Sequence, residues 1–338
     1  MAVKITDVAA RAGVSVGTVS NVLNDRPGVS DVIAERVRDA IRALGYVRND
    51  VARQLRGGRS RSIALIVLDA GNPFFGAIAR GAENRAAEEG YVVFVGSSGQ
   101  DTAREDAYLT QFHEHRVAGV LITPADAEGD AVERLRAAGT PVVLVDELPR
   151  SGGVCAVSVD DVEGGDLAVS HLLAQGRRRI AMVAGPLGTR QVADRLTGAR
   201  RAIARVDGAA LEVIEAGEMT VLAGRAVGED LLRRPDRPDA VFAANDLLAV
   251  GVLQALTLLG DVRVPEEIAL IGYDDIDFAA AAVVPLSSIR QPAAALGHAA
   301  VDLLLRQIGG DLHEEDREVR FRPELVVRAS TASPAVRT

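Results

Sequence analysis

Residues 5–24 read ITDVAARAGVSVGTVSNVLN and carry the clearest local pattern in the chain. Apolar residues recur there at helical spacing, at Val8, Ala9, Ala12, Val14, Val19, Val22 and Leu23. Thr6 and Ser15 are predicted to cap two short helices, because a hydroxyl can accept a hydrogen bond from an unpaired backbone N–H. Gly13 suits a tight turn between the helices. The stretch therefore predicts a helix-turn-helix, whose second helix enters the major groove of DNA.

A third helix is predicted directly after this pair. Ser30 is its expected N-cap and Gly45 its expected end. Apolar residues repeat between them at Ile33, Val37, Ala40, Ile41 and Leu44. We expect residues 1–48 to form a small helical DNA-binding head. Residues 49–61 predict a short helix, capped by Asn49, and a basic linker, with a solvated linker alone as the alternative.

Charge is distributed unevenly along the 338 residues. Residues 1–61 contain 11 Lys/Arg and 6 Asp/Glu, a net charge of +5, whereas the whole chain has −9 and the remainder therefore −14. A basic module joined to an acidic body is typical of a DNA-binding head. The acidic body should repel phosphates and confine DNA contact to the head.

From residue 62 onward, short apolar runs alternate with amphipathic helical stretches. Nine such runs are predicted strands, at residues 63–69, 91–97, 117–123, 141–147, 154–160, 180–185, 211–217, 240–245 and 268–275. Nearly continuous apolar strands separated by helices indicate parallel sheets that are covered on both faces. Nine units are too many for one comfortable sheet, so an α/β core of two doubly wound lobes is expected.

Polar residues follow many of these strands. They are Asp69, Asn72, Ser97, Ser98, Thr123, Asp146, Asp160, Asn245, Asp246, Asp274 and Asp275, with Phe74 and Phe75 close by. Ligands of open parallel sheets lie beyond the carboxyl ends of the strands, so the series predicts a cleft for a polar small molecule. The alternative is that each Asp or Asn only caps the helix that follows it.

Other classes of protein receive little support. No apolar run reaches 18 residues, no secretory signal is visible, and the single Cys155 cannot form an internal disulfide, which favours the cytoplasm. No GxGxxG or phosphate-loop spacing follows a strand, and no Ser/His/Asp arrangement stands out, so we expect no enzyme and no cofactor. His113 and His115 would lie on different faces of a helix, so no metal site is expected.

Several blocks together resemble the lactose-repressor/galactose-repressor family of bacterial transcription regulators. They are ITDVAARAGVSVGTVSNVLN, VSDVIAERVRDAIRALGYVRNDVARQL, NPFF, RVAGVLIT, AANDLLAVG, VPEEIALIGYDD and SSIRQP. The resemblance implies a DNA-binding head, a hinge helix in residues 49–61 and a core at 62–338 like that of periplasmic sugar-binding proteins. Within that core we expect an N-lobe at about 62–160 plus 292–322 and a C-lobe at about 161–291 plus 323–338. A homodimer on a near-palindromic operator is also implied.

The resemblance assigns roles to residues of the head and hinge. The positions that read bases in the family are Val16, Gly17 and Asn21, and the positions that contact the DNA backbone are Thr18, Ser20, Asn24 and Ser30. The hinge and minor-groove positions are Asn49, Ala52, Leu55 and Arg56. Leu55 would wedge into the central base step, and the small Ala52 would let two hinge helices approach.

In the core, the resemblance assigns a set of effector contacts. They are Phe74, Phe75, Asp146, Arg195, Asn245 and Asp274. A surface salt bridge is the alternative for Arg195. Met219 stands where several relatives have an aromatic residue, so the identity of the effector cannot be carried over.

Together these patterns predict a repressor that a small polar effector, a sugar or related metabolite, controls. The expected partners are operator DNA, the effector and a second copy of the chain, with no membrane, and the expected location is the cytoplasm, on the nucleoid when DNA is bound. A dimer is favoured because the C-terminal segment lacks the leucine heptads of a tetramerising coil. The alternatives are a regulator controlled by a partner protein and a solute-binding protein without DNA function. The sequence leaves open the effector, the sign of its effect, and the operator.

Overall fold

The computed structural model describes residues 3–24, 26–46, 60–126, 129–149 and 153–332. They form two compact units, one up to Ser60 and one from Arg61 onward. We call them the head and the core. The predicted hinge positions Asn49, Ala52, Leu55 and Arg56 lie outside the described residues.

Three helices form the head: α1 Ile5–Ala12, α2 Val16–Leu23 and α3 Asp31–Leu44. Their shared centre consists of Val8, Ala9, Ala12, Val19, Val22, Ala34, Val37 and Ala40. Gly13 has a φ of 62° at the turn, as the sequence predicted. Because α2 buries Val19 and Val22, its other side is left facing solvent.

The helix caps agree only partly with the prediction. The Ser15 hydroxyl accepts the Thr18 N–H at 3.1 Å, which confirms it as the N-cap of α2. The prediction for Thr6 was wrong, because α1 begins earlier, with Lys4 as N-cap. There the Asp7 carboxylate accepts the Lys4 backbone N–H at 2.8 Å, which is the bond from the third helical residue back to the N-cap in a capping box. Ser30 precedes α3 as expected but makes no side-chain cap bond.

The core contains two six-stranded sheets. The first comprises β1 Ser62–Val67, β2 Val92–Ser97, β3 Gly119–Ile122, β4 Val142–Val145, β5 Cys155–Val159 and β11 Glu318–Phe321, in the order β11-β5-β4-β3-β1-β2. The second comprises β6 Arg179–Ala184, β7 Ala210–Glu215, β8 Ala240–Ala243, β9 Ala269–Asp274, β10 Ser287–Arg290 and β12 Glu324–Val326, in the order β12-β10-β9-β8-β6-β7. Neighbours pair in parallel except β10 and β12, which are antiparallel.

Helices cover both sheets. They are α4 Pro73–Glu88, α5 Thr102–Glu114, α6 Ala131–Ala137, α7 Asp161–Ala174, α8 Arg190–Ile203, α9 Val221–Arg233, α10 Asp246–Gln254, α11 Asp277–Ala281 and α12 Ala293–Gly309. The chain changes sheet between β5 and β6, between β10 and α12, and between β11 and β12. These three passages connect the two lobes.

All nine predicted strands are present, but three more were missed. β10, β11 and β12 are short, and the sequences SSIR, EVRF and ELV lack the apolar run that reveals a buried parallel strand. Cys155 is buried in β5, as expected of a small core residue. Burial also raises the pKa of its thiol.

Helices α7 and α8 approach each other so closely that only glycine fits at the contact. A Cβ added to Gly165 would lie 2.0 Å from the backbone oxygen of Arg195, and one added to Gly198 would lie 2.0 Å from that of Val162. Two other helix pairs repeat the arrangement, α4 with α12 through Gly81 and Gly297, and α9 with α10 through Gly224 and Gly251. The crossing fixes where α8 places its side chains.

We therefore expect Gly165→Ala to destabilise the protein, because its new methyl group would push α8 away from α7. Overpacking of this kind costs about 1–3 kcal/mol of unfolding free energy. Gly76→Ala is the matched control, since a Cβ on this exposed glycine of α4 meets nothing within 4 Å. The control should gain up to about 1 kcal/mol from helix propensity. Urea unfolding would show the difference, and equal stability of Gly165→Ala and the parent would contradict the packing described.

Candidate functional site

The exposed side of α2 carries the positions predicted to read DNA. Val16 is 38% exposed and Gly17 is exposed, while Asn21 lies one turn further along and is half-buried. Thr18 and Ser20 are also half-buried, whereas Asn24 and Ser30 are exposed. Residues four apart on a helix share a face, so α2 presents a small polar and apolar surface rather than a charged one.

Two of these positions are tied locally. The Thr18 hydroxyl lies 2.9 Å from the Ser15 hydroxyl, and the Asn24 side chain donates to the Ser20 carbonyl at 2.7 Å. In addition, Arg36 of α3 donates to the Ala12 carbonyl at the end of α1. The first two bonds are local to α2, and the third ties α3 to the end of α1.

A second site lies in the core, where the carboxyl ends of the two sheets face one cavity of about 440 Å³. Its lining includes Phe74, Phe75, Asp146, Arg195, Asn245 and Asp274. These are all six predicted effector positions, which the fold brings together from both lobes. The convergence follows from the topology, because parallel strands all end at the same edge of a sheet.

Arg195 is the buried cation of this cleft. Its Nε donates to Asp161 Oδ1 at 2.7 Å, and its Nη1 donates to the Ala244 carbonyl at 2.7 Å. The guanidinium carbon lies 3.7 Å from the centre of the Tyr273 ring. The alternative of a surface salt bridge was wrong, because only 4% of Arg195 is exposed. The buried charge is acceptable because an anion, a carbonyl and a ring surround it.

Asp146 presents an acceptor into the cavity. It follows β4 with a φ of 56°, and only 5% of it is exposed. Its backbone oxygen accepts from the Gln191 side chain. Its Oδ1 is buried and has no hydrogen-bond partner in the part of the chain that the structure describes. Burial, reinforced by the charge of Asp161, raises the pKa of Asp146 well above its ordinary value, against the opposing influence of Arg195.

Asp274 joins the two lobes. Its Oδ1 accepts from Gln291 at 2.8 Å, and its Oδ2 accepts at 3.3 Å from Asn72, which precedes α4 in the other lobe. Burial raises the pKa of Asp274 to about 6, although Arg195 and these two hydrogen bonds act in the opposite direction.

Asn245 serves partly as a cap. Its side-chain oxygen accepts the Leu248 N–H at 2.9 Å, and its amide donates to the Met219 carbonyl at 3.2 Å. The capping alternative is therefore correct for Asn245, as it is for Asn72, whose oxygen accepts the Phe74 N–H at 3.0 Å. Both side chains cap a helix and line the cavity as well.

Apolar surface completes the cleft. Phe74 and Phe75 are in edge-to-face contact, with ring centres 5.2 Å apart. Met219 also lines the cavity, and its side chain lies over Gly185, where an added Cβ would come within 2.4 Å of it. Met219 stands where the resemblance would place an aromatic residue, and here its flexible thioether supplies the apolar surface instead.

Other residues of the site were not among the six predicted effector contacts, although Asp69 and Asn72 belong to the strand-end series that predicted the cleft and Met219 was noted beside those contacts. Those that line the cavity are Leu68, Asp69, Asn72, Gly99, Gln100, Thr189, Gln191, Val192, Gly217, Glu218, Met219 and Thr220. Asp161 and Tyr273 do not line the cavity but contact the guanidinium of Arg195. Gln191 had a usable signal, since it precedes Arg195 by four residues and shares its helix face. Asp161 had a weaker one, as the neighbour of the strand-end residue Asp160.

Two negative findings concern the described part of the chain. No group of three or more His, Cys, Asp or Glu side chains there is arranged to hold a metal ion. None of its helices is both long enough and apolar enough to cross a membrane.

Comparisons with known proteins match both the head and the core of the chain. A family described as "Bacterial regulatory proteins, lacI family" matches residues 4–49, and a periplasmic binding protein-like domain matches residues 169–331. The ribose operon repressor of Escherichia coli (strain K12) is 35% identical over 96% of this chain and 98% of its own length. The transcriptional repressor PurR of Aliivibrio salmonicida is 33% identical over the same shares.

This chain belongs to the lacI family of bacterial regulatory proteins. It is accordingly a DNA-binding transcriptional regulator with a periplasmic-binding-protein-like core, and the predictions of family, fold and non-enzymatic function are confirmed.

Solved structures of lacI-family proteins show the same architecture. The lac repressor dimer bound to operator and the anti-inducer ONPF has a TM-score of 0.85 and 30% identity, covering 98% of this chain and all of that one. A complex of the regulator CelR with cellobiose has a TM-score of 0.71 and 32% identity, covering 97% and 99% of the two chains. A lacI-family regulator from Enterococcus faecium with bound ribose has a TM-score of 0.72 and 30% identity, covering 80% and 98%.

The raised pKa of Asp274 gives a pH test of the cleft. The folded chain holds this proton more tightly than the unfolded chain, whose Asp has an ordinary pKa of 3.8, so stability falls as the pH rises from about 4 to about 6. In Asp274→Asn this dependence is absent. The stability of the parent relative to the variant should therefore fall by about 2–3 kcal/mol between pH 4 and pH 7.

Urea unfolding of both proteins at a series of pH values measures this difference directly. The charge of Asp274 also raises the pKa values of Asp146 and Asp246, so the difference between the two proteins includes the loss of this influence, whereas carboxyls remote from Asp274 cancel. A difference that stays constant between pH 4 and pH 7 would contradict the burial of Asp274.

Proposed function

We propose that this regulator is a repressor that binds a near-palindromic operator as a homodimer, under the control of a sugar or related metabolite. The observation that carries this proposal is that one chain combines a helix-turn-helix head with a polar cleft between two lobes. Residues 1–48 would be the head, 49–61 the hinge helix and linker, and 62–338 the effector-binding and dimerising core. The regulator would act in the cytoplasm, on the nucleoid.

The exposed face of α2 supports the DNA-reading role. Asn21 can form two hydrogen bonds with an adenine, and Val16 can contact a thymine methyl group. Gly17 offers no side chain, so base readout by this helix would be sparse. Thr18, Ser20, Asn24 and Ser30 would contact phosphates and set the register of the head on the duplex.

The hinge residues Asn49, Ala52, Leu55 and Arg56 would supply further readout. Their role is proposed from the resemblance alone. A leucine wedge costs a few kcal/mol of base unstacking, which is recovered only when both hinge helices are folded on DNA. The hinge is therefore the natural place for an effector to act.

The proposal of a sugar effector rests on the chemistry of the cleft and on named relatives. Carboxylates, an amide and a guanidinium beside aromatic surface suit a hydroxylated ring with one apolar face. The E. coli relative is a ribose operon repressor, and two similar structures hold cellobiose and ribose. A sugar between the lobes would touch both, since Asp146 belongs to one lobe and Arg195 to the other.

Contacts between the lobes provide a route from cleft to DNA. Asn72 donates to Asp274 across the cleft, and Arg190 of α8 forms a 2.7 Å ion pair with Glu147 at the end of β4. A ligand that rearranges these contacts changes the relative rotation of the lobes and so the spacing of two heads. A 100-fold preference for one state corresponds to about 2.7 kcal/mol of coupling free energy.

Selection of bound duplexes from a random pool tests the DNA-binding function, and repeating it with a panel of sugars and purine bases tests the effector. Enriched inverted repeats, with a yield that one sugar changes, are expected. A pool without inverted repeats, or a yield that no compound alters, would contradict the proposal. Affinity should also fall steeply with salt, because bound phosphates release counterions.

The same selection with Asn21→Ala tests base reading. We expect this variant to lose preference at one symmetric position of each half-site, by about 1–3 kcal/mol, because the two hydrogen bonds to that base are gone. Gln175→Ala, an exposed substitution in the core, is the control and should enrich the parent sequence. An unchanged preference in Asn21→Ala would remove Asn21 from the readout.

A further inference from the structure

The cleft has an unusual balance of charge for a site that would take a metabolite. Four carboxyl groups line it, Asp69, Asp146, Glu218 and Asp274, against one cation, Arg195. Asp146 and Asp274 are buried, whereas Glu218 is exposed at the rim. The inner part of the cleft thus has two carboxyls and a single guanidinium.

The charge of Arg195 is already balanced. Asp161 accepts from its Nε at 2.7 Å, and both side chains are almost fully buried. Arg190, at the start of the same helix, is paired with Glu147 at 2.7 Å and also donates to the Leu148 carbonyl. Neither guanidinium is left as an uncompensated cation for a phosphate or carboxylate ligand.

Most helix N-termini at the cleft are also occupied. Such termini can bind anions through their unpaired N–H groups. Here Asn72, Thr220 and Asn245 cap α4, α9 and α10 with their own side-chain oxygens. Helix α8 starts without a side-chain cap at Thr189, but its first residue is the Arg190 that is paired with Glu147.

The hydrogen-bonding groups require a ligand that donates. Asp146 Oδ1 is buried without a partner among the described residues, and a bound molecule that supplies an O–H or N–H would satisfy it. Arg195 has five N–H groups and uses two in the bonds to Asp161 and Ala244, so it can still donate. A sugar hydroxyl can donate to Asp146 and accept from Arg195, whereas a phosphate group at neutral pH has almost only acceptors.

From these observations we propose that the effector is an uncharged hydroxylated molecule, and that the cleft discriminates against the phosphate ester of the same sugar. This inference rests on the proposed function and adds the charge class of the ligand. The raised pKa values of Asp146 and Asp274 agree with it, because a nearby dianion would raise them further. Binding of a phosphate ester would therefore take up protons, and binding of the free sugar would take up fewer.

Calorimetry on the full chain with matched pairs tests this discrimination at pH 7. The pairs are D-ribose with ribose 5-phosphate, D-glucose with glucose 6-phosphate, D-fructose with fructose 6-phosphate, and trehalose with trehalose 6-phosphate. In any pair that binds, the ester should have a dissociation constant at least about tenfold higher than that of the parent sugar. An ester that binds as tightly as its parent, or more tightly, overturns the inference.

Operator binding measured on the same samples separates this inference from the wider proposal. If the operator is bound but no member of any pair binds, the assignment of an uncharged sugar is overturned and the DNA function stands. If the operator is not bound, the proposed function itself has failed. A free sugar that binds while its ester is rejected supports the inference in either case.

Asp146→Asn tests the residue that carries the argument. The variant keeps the shape of the side chain but replaces one of its carboxyl oxygens with an amide NH2 group, so the parent sugar should bind more weakly and the ratio of sugar to ester affinity should shrink several-fold. Asp207→Asn, an exposed substitution in the same lobe as Arg195, is the control and should leave the ratio unchanged. Melting curves verify that both variants are folded. An unchanged ratio in Asp146→Asn overturns the role given to Asp146.

Discussion

The buried ion pair between Arg195 and Asp161 is the interaction around which the cleft is organised. It links α7 to α8, and Arg195 further binds the carbonyl of Ala244 after β8 and stacks on Tyr273 of β9. One guanidinium thus connects four elements of the second lobe. Its position depends on the glycine contact of α7 with α8. The backbone oxygen of Arg195 lies directly against Gly165, where a Cβ would not fit.

This arrangement sets which hydrogen-bonding groups the cleft presents. A buried cation without an anion is very costly, so Asp161 neutralises Arg195 from behind. The carboxyls that face the cavity, Asp146 and Asp274, then remain without a cation of their own. The cleft consequently favours ligands that donate hydrogen bonds. The Asn72–Asp274 contact crosses from one lobe to the other at the same place, so occupancy of the cleft and lobe position are physically linked.

Much of the fold could be predicted from sequence because its signals are local. Apolar runs revealed nine strands, and Ser15 and Gly13 marked the turn of the head. The prediction of Thr6 as an N-cap failed because α1 begins earlier, at Ile5, with Lys4 as its N-cap and Asp7 bonded back to Lys4. Strand prediction also failed where strands lack an apolar run, as in β10 to β12. The six predicted effector positions do share one cavity, because strand ends meet by topology.

The parts of the site that sequence could not supply depend on distant contacts. Asp161 and Arg195 are 34 residues apart, and only the helix crossing brings them together. The buried state of Arg195 was equally hidden, since its helical pattern also fitted a surface salt bridge. The hydrogen bond between Asn72 and Asp274 joins residues 202 positions apart. No local pattern encodes such a pairing.

A double-mutant cycle on Arg195→Met and Asp161→Asn, read by urea unfolding, tests the organising role of this pair most directly. The exposed pair between Arg205 and Asp166, which joins the same part of the core, is the reference. The buried pair should show a coupling free energy of about 3 kcal/mol, because either single change leaves a buried charge uncompensated. The exposed pair should show less than about 1 kcal/mol. Additive effects of Arg195→Met and Asp161→Asn would contradict the account.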